Sequence, residues 1–338
     1  MGLSSAVVAL GPQRVLKRDP GEWSHPSHLV SVPIARQGDL GSMVKVASAV
    51  RKIKPRVLIC HSHRHAVAGV LGQISSGCRP TLIVVEHQSN HLRSTKDNLL
   101  SGIALAVGRA VVFLTLEYQQ QYPLKKFQAL LRRPGFVVPN GVKAKPRRSP
   151  KGQRMALGKR QSMTVGMTSR LVATKQHDVL IRAIRILLDR PGYAGVRLLI
   201  AGEGPTLEGL KQLAEELGVN DVVEFRGHIP IGEVPDFLDT LDVYVHATLG
   251  EGFSIALLEA AESGVPIVVS DVPGVNEFFV DDETALLVPP SNPEAMADGI
   301  VRALDPVFGS RLASAARDWV LFNFSSDRIA ADYLVVLS

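Results

Sequence analysis

Short apolar runs of strand length alternate with helix-length stretches along the whole chain, and the alternation restarts after residue 162. Residues 5–10 and 28–34 read as strands, 40–53 as a helix, 56–60 as a strand and 65–75 as a helix. Residues 81–85, 98–107, 110–114 and 136–138 continue the rhythm in the first half. In the second half, 163–168, 196–200, 222–225, 243–245, 267–269 and 285–288 supply strands with helices between them, and 324–337 is helical. The strands are continuous apolar runs rather than alternating ones, as expected for parallel strands covered by helices on both faces. The chain therefore reads as α/β, with two successive Rossmann-like halves and a cleft at the strand carboxyl ends, where open α/β sheets bind ligands.

A length of 338 residues favours two cores over one. Hydrophobic and charged contents of 46% and 21% are those of an ordinary globular protein and exclude extensive disorder. Cys60 and Cys78 form neither a metal pattern nor a disulfide framework, which favours a reducing, cytoplasmic compartment. The apolar stretch 99–116 has the length of a membrane span, but its central Arg109 opposes insertion. A buried helix followed by a strand accounts for it better. The start of the chain has no basic n-region, and Ala6 breaks the myristoylation pattern.

The net charge of +6 is concentrated. Lys143, Lys145, Arg147, Arg148, Lys151, Arg154, Lys159 and Arg160 fall in one Pro- and Gly-punctuated segment without an acid. It reads as a solvated linker over 142–162, following the Asn140-Gly141 turn signal that closes a first domain over 1–141. A second domain spans 163–322, and a final helix spans 323–338. Contact of the basic segment with an anionic membrane is the alternative. Nucleic acid is disfavoured because no aromatic residue interleaves the charges.

Two carboxylates, Glu251 and Glu259, dominate the stretch HATLGEGFSIALLEAAESGVPIVVSD at 246–271. Gly250 and Gly252 flank Glu251, so the backbone can bend and a ligand can approach. The apolar run from Phe253 to Ala261 suits a largely buried helix, stopped by Gly264 and Pro266. The helix start at Gly252, Phe253 and Ser254 then offers free N–H groups and a positive dipole end to a phosphate. Eight residues of helix span roughly 12 Å, wider than a glycosidase carboxylate pair, so the two Glu suit the ends of an extended ligand. Arg170 and Lys175, in Ser-Arg-Leu-Val-Ala-Thr-Lys after the 163–168 strand, supply a guanidinium fork and a compact ammonium, a combination that suits a diphosphate. Gly202 and Gly204, in Ala-Gly-Glu-Gly-Pro, lack the full dinucleotide fingerprint. His61, His63 and His65 alternate after a strand, but side chains there diverge too quickly for a metal site.

These motifs resemble the Glu-x7-Glu and Gly-Arg-Leu-x-x-x-Lys signatures of retaining GT-B glycosyltransferases, especially glycosyltransferase family 4. Ser169 replaces the usual Gly, and Gln176 stands where a Gly often follows the Lys. The resemblance implies the GT-B architecture, two Rossmann-like domains with parallel sheets facing a central cleft. It also implies transfer of a sugar from a UDP-, GDP- or ADP-sugar, with retained configuration and without metal or other cofactor. Glu251 and His87 then meet the sugar and Glu259 the ribose. Arg170, Lys175 and the amides at 252–254 meet the diphosphate, Gly202 and Gly204 form the turn beneath the nucleotide, and His228 and Ile229 face the base. The first domain is then the acceptor side and the second binds the nucleotide sugar. The acceptor is a glycan, a lipid-linked sugar or a small molecule of polysaccharide or glycolipid synthesis, reached in the cytoplasm or at the inner membrane face. The last helix is expected to cross back to the first domain. The family's opening strand and Gly-rich loop are not seen ahead of the 5–10 strand. Two alternatives stay open: a GT-B-like sugar-nucleotide 2-epimerase, and a truncated, non-catalytic nucleotide-binding relative.

Overall fold

The computed structural model describes residues 6–11, 28–33, 40–61, 66–67, 69–71, 74, 77, 81–86, 95–145 and 163–337. The chain divides at Val138/Pro139 into two compact units.

The first unit contains two parallel sheets. Strands β1 (Ala6–Gly11) and β2 (His28–Pro33) pair with each other. Strands β3 (Val57–Cys60), β4 (Thr81–Glu86), β5 (Ala110–Phe113) and β6 (Gly135–Val137) form the other, in sequence order. β5 is buried along its whole length, and Leu82, Ile83, Val84 and Val85 of β4 are buried too, which explains the lack of polar alternation in the sequence. The stretch 99–116 resolves into the helix Thr95–Val107 and β5, and no described helix is long and apolar enough to cross a membrane. That helix starts three residues earlier than hydrophobicity marks, because Thr95, Lys96 and Asp97 form a polar first turn. Cys60 is buried, and burial pushes its thiol up to about 12, so it behaves as a small hydrophobe. Cys78 lies outside the described residues.

The second unit is built on six parallel strands: β7 (Met163–Thr168), β8 (Val196–Ala201), β9 (Val223–Gly227), β10 (Val243–His246), β11 (Ile267–Ser270) and β12 (Leu286–Val288). Their spatial order is β12-β11-β10-β7-β8-β9. Counted within the unit this is 3-2-1-4-5-6 read from the far edge, the Rossmann order, and its topological switch point lies between β7 and β10. The helix His177–Leu188 turns Leu180, Ile181, Ala183, Ile184 and Leu187 into a core shared with Val165, Leu198, Val243 and Val268. The helix expected over 324–337 is present as Ser326–Leu337, two residues shorter at its start. Ser325 is extended (φ −63°, ψ 146°) between the helices Pro306–Phe324 and Ser326–Leu337, and it bridges Val142 in parallel.

Candidate functional site

The switch point sets the geometry. Chain leaving β7 and chain leaving β10 emerge side by side at the carboxyl edge, so Ser169 to Lys175 meets Ala247 to Ser254. The two loops are joined by backbone and side chain. Leu249 N–H donates to Thr174 O at 2.9 Å, and Thr248 Oγ1 donates to Thr174 O at 3.2 Å.

Lys175 Nζ donates to Glu251 Oε1. His246 Nε2 donates to the same oxygen at 2.5 Å. Behind His246, the Tyr244 hydroxyl lies 3.2 Å from Nδ1 and donates to Thr168 O at 3.3 Å. A line of polar groups thus runs from the end of β7 through β10 to the Glu251 carboxylate. Glu251 is largely buried and burial alone raises a carboxyl, yet His246 first and Lys175 next outweigh it and hold Glu251 down at about 2. Burial, reinforced by His246 and Lys175, likewise pushes His177 down to about 4, and its Nε2 lies 2.9 Å from Ser169 Oγ. Burial pushes the Tyr244 phenol up.

The helix Ile255–Ser263 follows, with Ser254 as its N-cap and Gly264 ending it in the left-handed region (φ 78°). Glu251 precedes this helix and Glu259 sits within it. Glu259 is half-buried and its carboxyl is raised, by burial first, lowered by Lys145 and raised again by Glu262. The backbone bends at Gly252 and Phe253, as expected beside Glu251, although neither Gly250 nor Gly252 is in the left-handed region. The left-handed glycine here is Gly274 (φ 81°), where a Cβ would stand 2.1 Å from Glu251 O, so the backbone of Glu251 is seated on Gly274.

Gly202 and Gly204 have a structural use. A Cβ on Gly202 would stand 1.8 Å from Ser169 O, and one on Gly204 2.1 Å from Leu171 O. Their turn is the floor on which the Arg170 loop rests, with Leu171 N–H donating to Glu203 O at 2.9 Å. Arg170 itself is exposed. Gln176 adopts the left-handed conformation (φ 37°, ψ 43°) that a glycine takes without strain, and its side-chain amide is clamped by Ser291 at 2.6 Å and 3.2 Å. His228 is exposed and Ile229 half-buried, both directly after β9. His87, His63 and His65 lie outside the described residues, as do 146–162 of the basic segment. The start of that segment is built into the second unit: Lys145 N–H donates to Glu262 Oε1 at 2.9 Å, and Arg317 Nη2 donates to Lys145 O at 2.8 Å.

Sequence reasoning missed Tyr244 and His246. The signal was present, since residues two apart on a strand share a face, and their rings stack 6.0 Å apart.

Residues 153–318 match the family model described as Glycosyl transferases group 1. Over 187 residues the chain is 34% identical to a GDP-mannose-dependent alpha-(1-6)-phosphatidylinositol monomannoside mannosyltransferase of Mycobacterium tuberculosis, a match covering 53% of this chain and 48% of the relative. It is 32% identical over 316 residues to an exopolysaccharide phosphotransferase of Streptomyces coelicolor, covering 92% of this chain and 31% of that one. The chain therefore spans about half the length of the first relative and a third of the second. Among solved structures it is similar to Anabaena Alr3699/HepE in complex with UDP and glucose, with a TM-score of 0.76, 20% identity and coverage of 93% of this chain and 86% of that one. The fold is GT-B, with two Rossmann-like α/β domains.

Proposed function

We propose that the chain transfers a sugar from a nucleoside-diphosphate sugar to a glycan or lipid-linked acceptor, with retained anomeric configuration and without a divalent metal ion. The observation that carries it is the Lys175–Glu251–His246 cluster at the switch point of the second unit, one loop before the helix Ile255–Ser263. A carboxylate kept ionised beside cations and a helix start suits a ligand that presents hydroxyls at one end and phosphates at the other. Similarity to a phosphatidylinositol monomannoside mannosyltransferase and to an exopolysaccharide phosphotransferase supports a glycan or lipid acceptor. Such acceptors suit a cytoplasmic enzyme working at the inner membrane face.

In the proposed reaction the bond from the sugar anomeric carbon to the diphosphate oxygen breaks, and its electron pair leaves on that oxygen. The acceptor hydroxyl oxygen bonds to the anomeric carbon on the same face. Its proton passes to the departing phosphate oxygen, so no further base is consumed. Arg170, Lys175 and the amides of Gly252, Phe253 and Ser254 stabilise the growing negative charge in place of a metal ion. Glu251 and His87 hold the sugar, and Glu259 the ribose. Gly202 and Gly204 support the Arg170 loop, and His228 with Ile229 borders the base.

Calorimetric titration of the full chain with UDP, GDP and ADP in EDTA tests the donor site. One nucleotide binds, and Arg170→Ala weakens it by roughly tenfold or more, the loss of a charge-assisted contact of about 1.5 to 3 kcal/mol. Undiminished affinity in that variant sinks the assignment of Arg170, and binding that needs added magnesium or manganese sinks the metal-independent reading.

A further inference from the structure

The helix Ile255–Ser263 begins without the usual local device. Ser254 is its N-cap, yet the Ser254 side chain makes no capping hydrogen bond, so no local side chain holds the peptide by which the chain enters the helix. A distant residue takes that part. Asn140 Nδ2 donates to Phe253 O at 3.0 Å, across 113 positions of sequence. Phe253 O and Ser254 N–H belong to one trans peptide unit and point in opposite directions. Holding the oxygen on Asn140 therefore turns the Ser254 N–H away from Asn140.

Both ends of this contact are pinned. The Phe253 ring packs edge-on against Phe278 at 4.2 Å and Phe324 at 5.2 Å. On the other side, a Cβ on Gly141 would stand 3.0 Å from Ile329 Cγ1 and 3.3 Å from Ser326 Cα, so the chain there already lies close against the last helix. Val142 N–H donates to Phe324 O at 2.8 Å, and Ser326 N–H donates to Val142 O at 2.9 Å. Asn140 cannot drift without breaking this seam, so the amide it offers Phe253 is fixed in place. Asn140-Gly141, a turn signal in the sequence, is a clamp in the fold.

We propose that Asn140 is a positioning residue for the donor diphosphate: by holding the Phe253 carbonyl it fixes the Ser254 N–H as a phosphate donor. The proposal rests on the donor reading above. Two variants of the full chain test it, Asn140→Ala, which removes the anchor, and Asn140→Asp, which places a carboxylate oxygen against the carbonyl. Calorimetry measures the affinity for the nucleoside diphosphate that the wild type binds, and ligand-observed NMR measures the affinity for the matching nucleoside, which has no phosphate. The expected result is diphosphate binding weakened about tenfold in Asn140→Ala and further in Asn140→Asp, with nucleoside affinity unchanged in both. Equal losses for diphosphate and nucleoside make Asn140 a support of the fold alone and overturn the proposal, as does unchanged diphosphate affinity in both variants. A wild type that binds none of UDP, GDP and ADP overturns the donor reading itself, and the proposal with it.

Discussion

One oxygen of Glu251 receives two donors from different strands' ends, and that arrangement makes the residue sensitive to acid. The Lys175 ammonium arrives from the β7 loop and the His246 imidazole from β10. Their combined effect exceeds the cost of burial, so the carboxyl that titrates near 4.5 in the unfolded chain titrates near 2 in the native one. Between these values the unfolded chain binds a proton that the native chain refuses. The stability contributed by the cluster is therefore complete above about pH 4.5 and lost as the pH falls to about 2, a swing of roughly 3 kcal/mol. His177 acts with the same sign in a higher window. Its native value of about 4 lies below the ordinary 6.5, so stability declines as the pH falls from 6.5 towards 4. Thermal unfolding followed from pH 7 to pH 2 separates the two groups. Glu251→Gln flattens the slope below pH 4.5 and His177→Asn the slope between 4 and 6.5, each leaving the other window unchanged. A Glu251→Gln profile parallel to the wild type at low pH contradicts the ionised cluster.

At the scale of elements, the loops of the site are held by close backbone approaches, and these set which glycines are irreplaceable. On Gly204 a Cβ would meet Leu171 O at 2.1 Å and Leu171 C at 2.6 Å, both backbone atoms that cannot swing aside. Gly204→Ala forces the 169–171 segment away, Arg170 with it, and costs about 1 to 3 kcal/mol of stability, the range of overpacked interiors. Gly209 gives the contrast. It lies inside the helix Leu207–Glu216, and a methyl group added there would meet nothing within 4 Å, so Gly209→Ala raises stability by about 0.5 to 1 kcal/mol through helix propensity. Urea midpoints of the two variants check this, and a neutral Gly204→Ala removes the role of floor given to that turn. The same division explains what the sequence made legible. Apolar runs mark β7, β10 and the helix after Glu251 because burial selects their residues locally. The Glu251 and Lys175 pairing, 76 positions apart, has no local signature because strand order brings those chains together, and the Asn140 to Phe253 bond has none because the distant seam of Val142 with Phe324 and Ser326 places Asn140. Gln176 shows the opposite case, where a non-glycine residue keeps a left-handed backbone that a glycine takes without strain, its side-chain amide clamped by Ser291.

At the scale of the whole molecule, the residues assigned to the donor divide unequally between the units. Arg170, Lys175, Gly202, Gly204, His228, Ile229, Glu251, Gly252, Phe253, Ser254 and Glu259 all belong to the second unit, and His87 alone belongs to the first by its place in the chain. The second unit also owns the parts a domain needs to fold: a six-stranded Rossmann sheet, a core running from Met163 to Leu312, and the Val142 to Ser325 bridge that ties its first segment to its last helices. A polypeptide of residues 139–338 should therefore unfold cooperatively on its own and bind the nucleoside diphosphate within about tenfold of the full chain, a difference of about 1.4 kcal/mol. It should transfer no sugar, because the GT-B resemblance implies that the first domain carries the acceptor side. Far-UV circular dichroism and calorimetry of the fragment read the first two expectations, and product formation by full chain and fragment reads the third. A fragment that folds without binding moves part of the diphosphate site into the first unit, whereas one that transfers sugar at the full rate places the acceptor on the second.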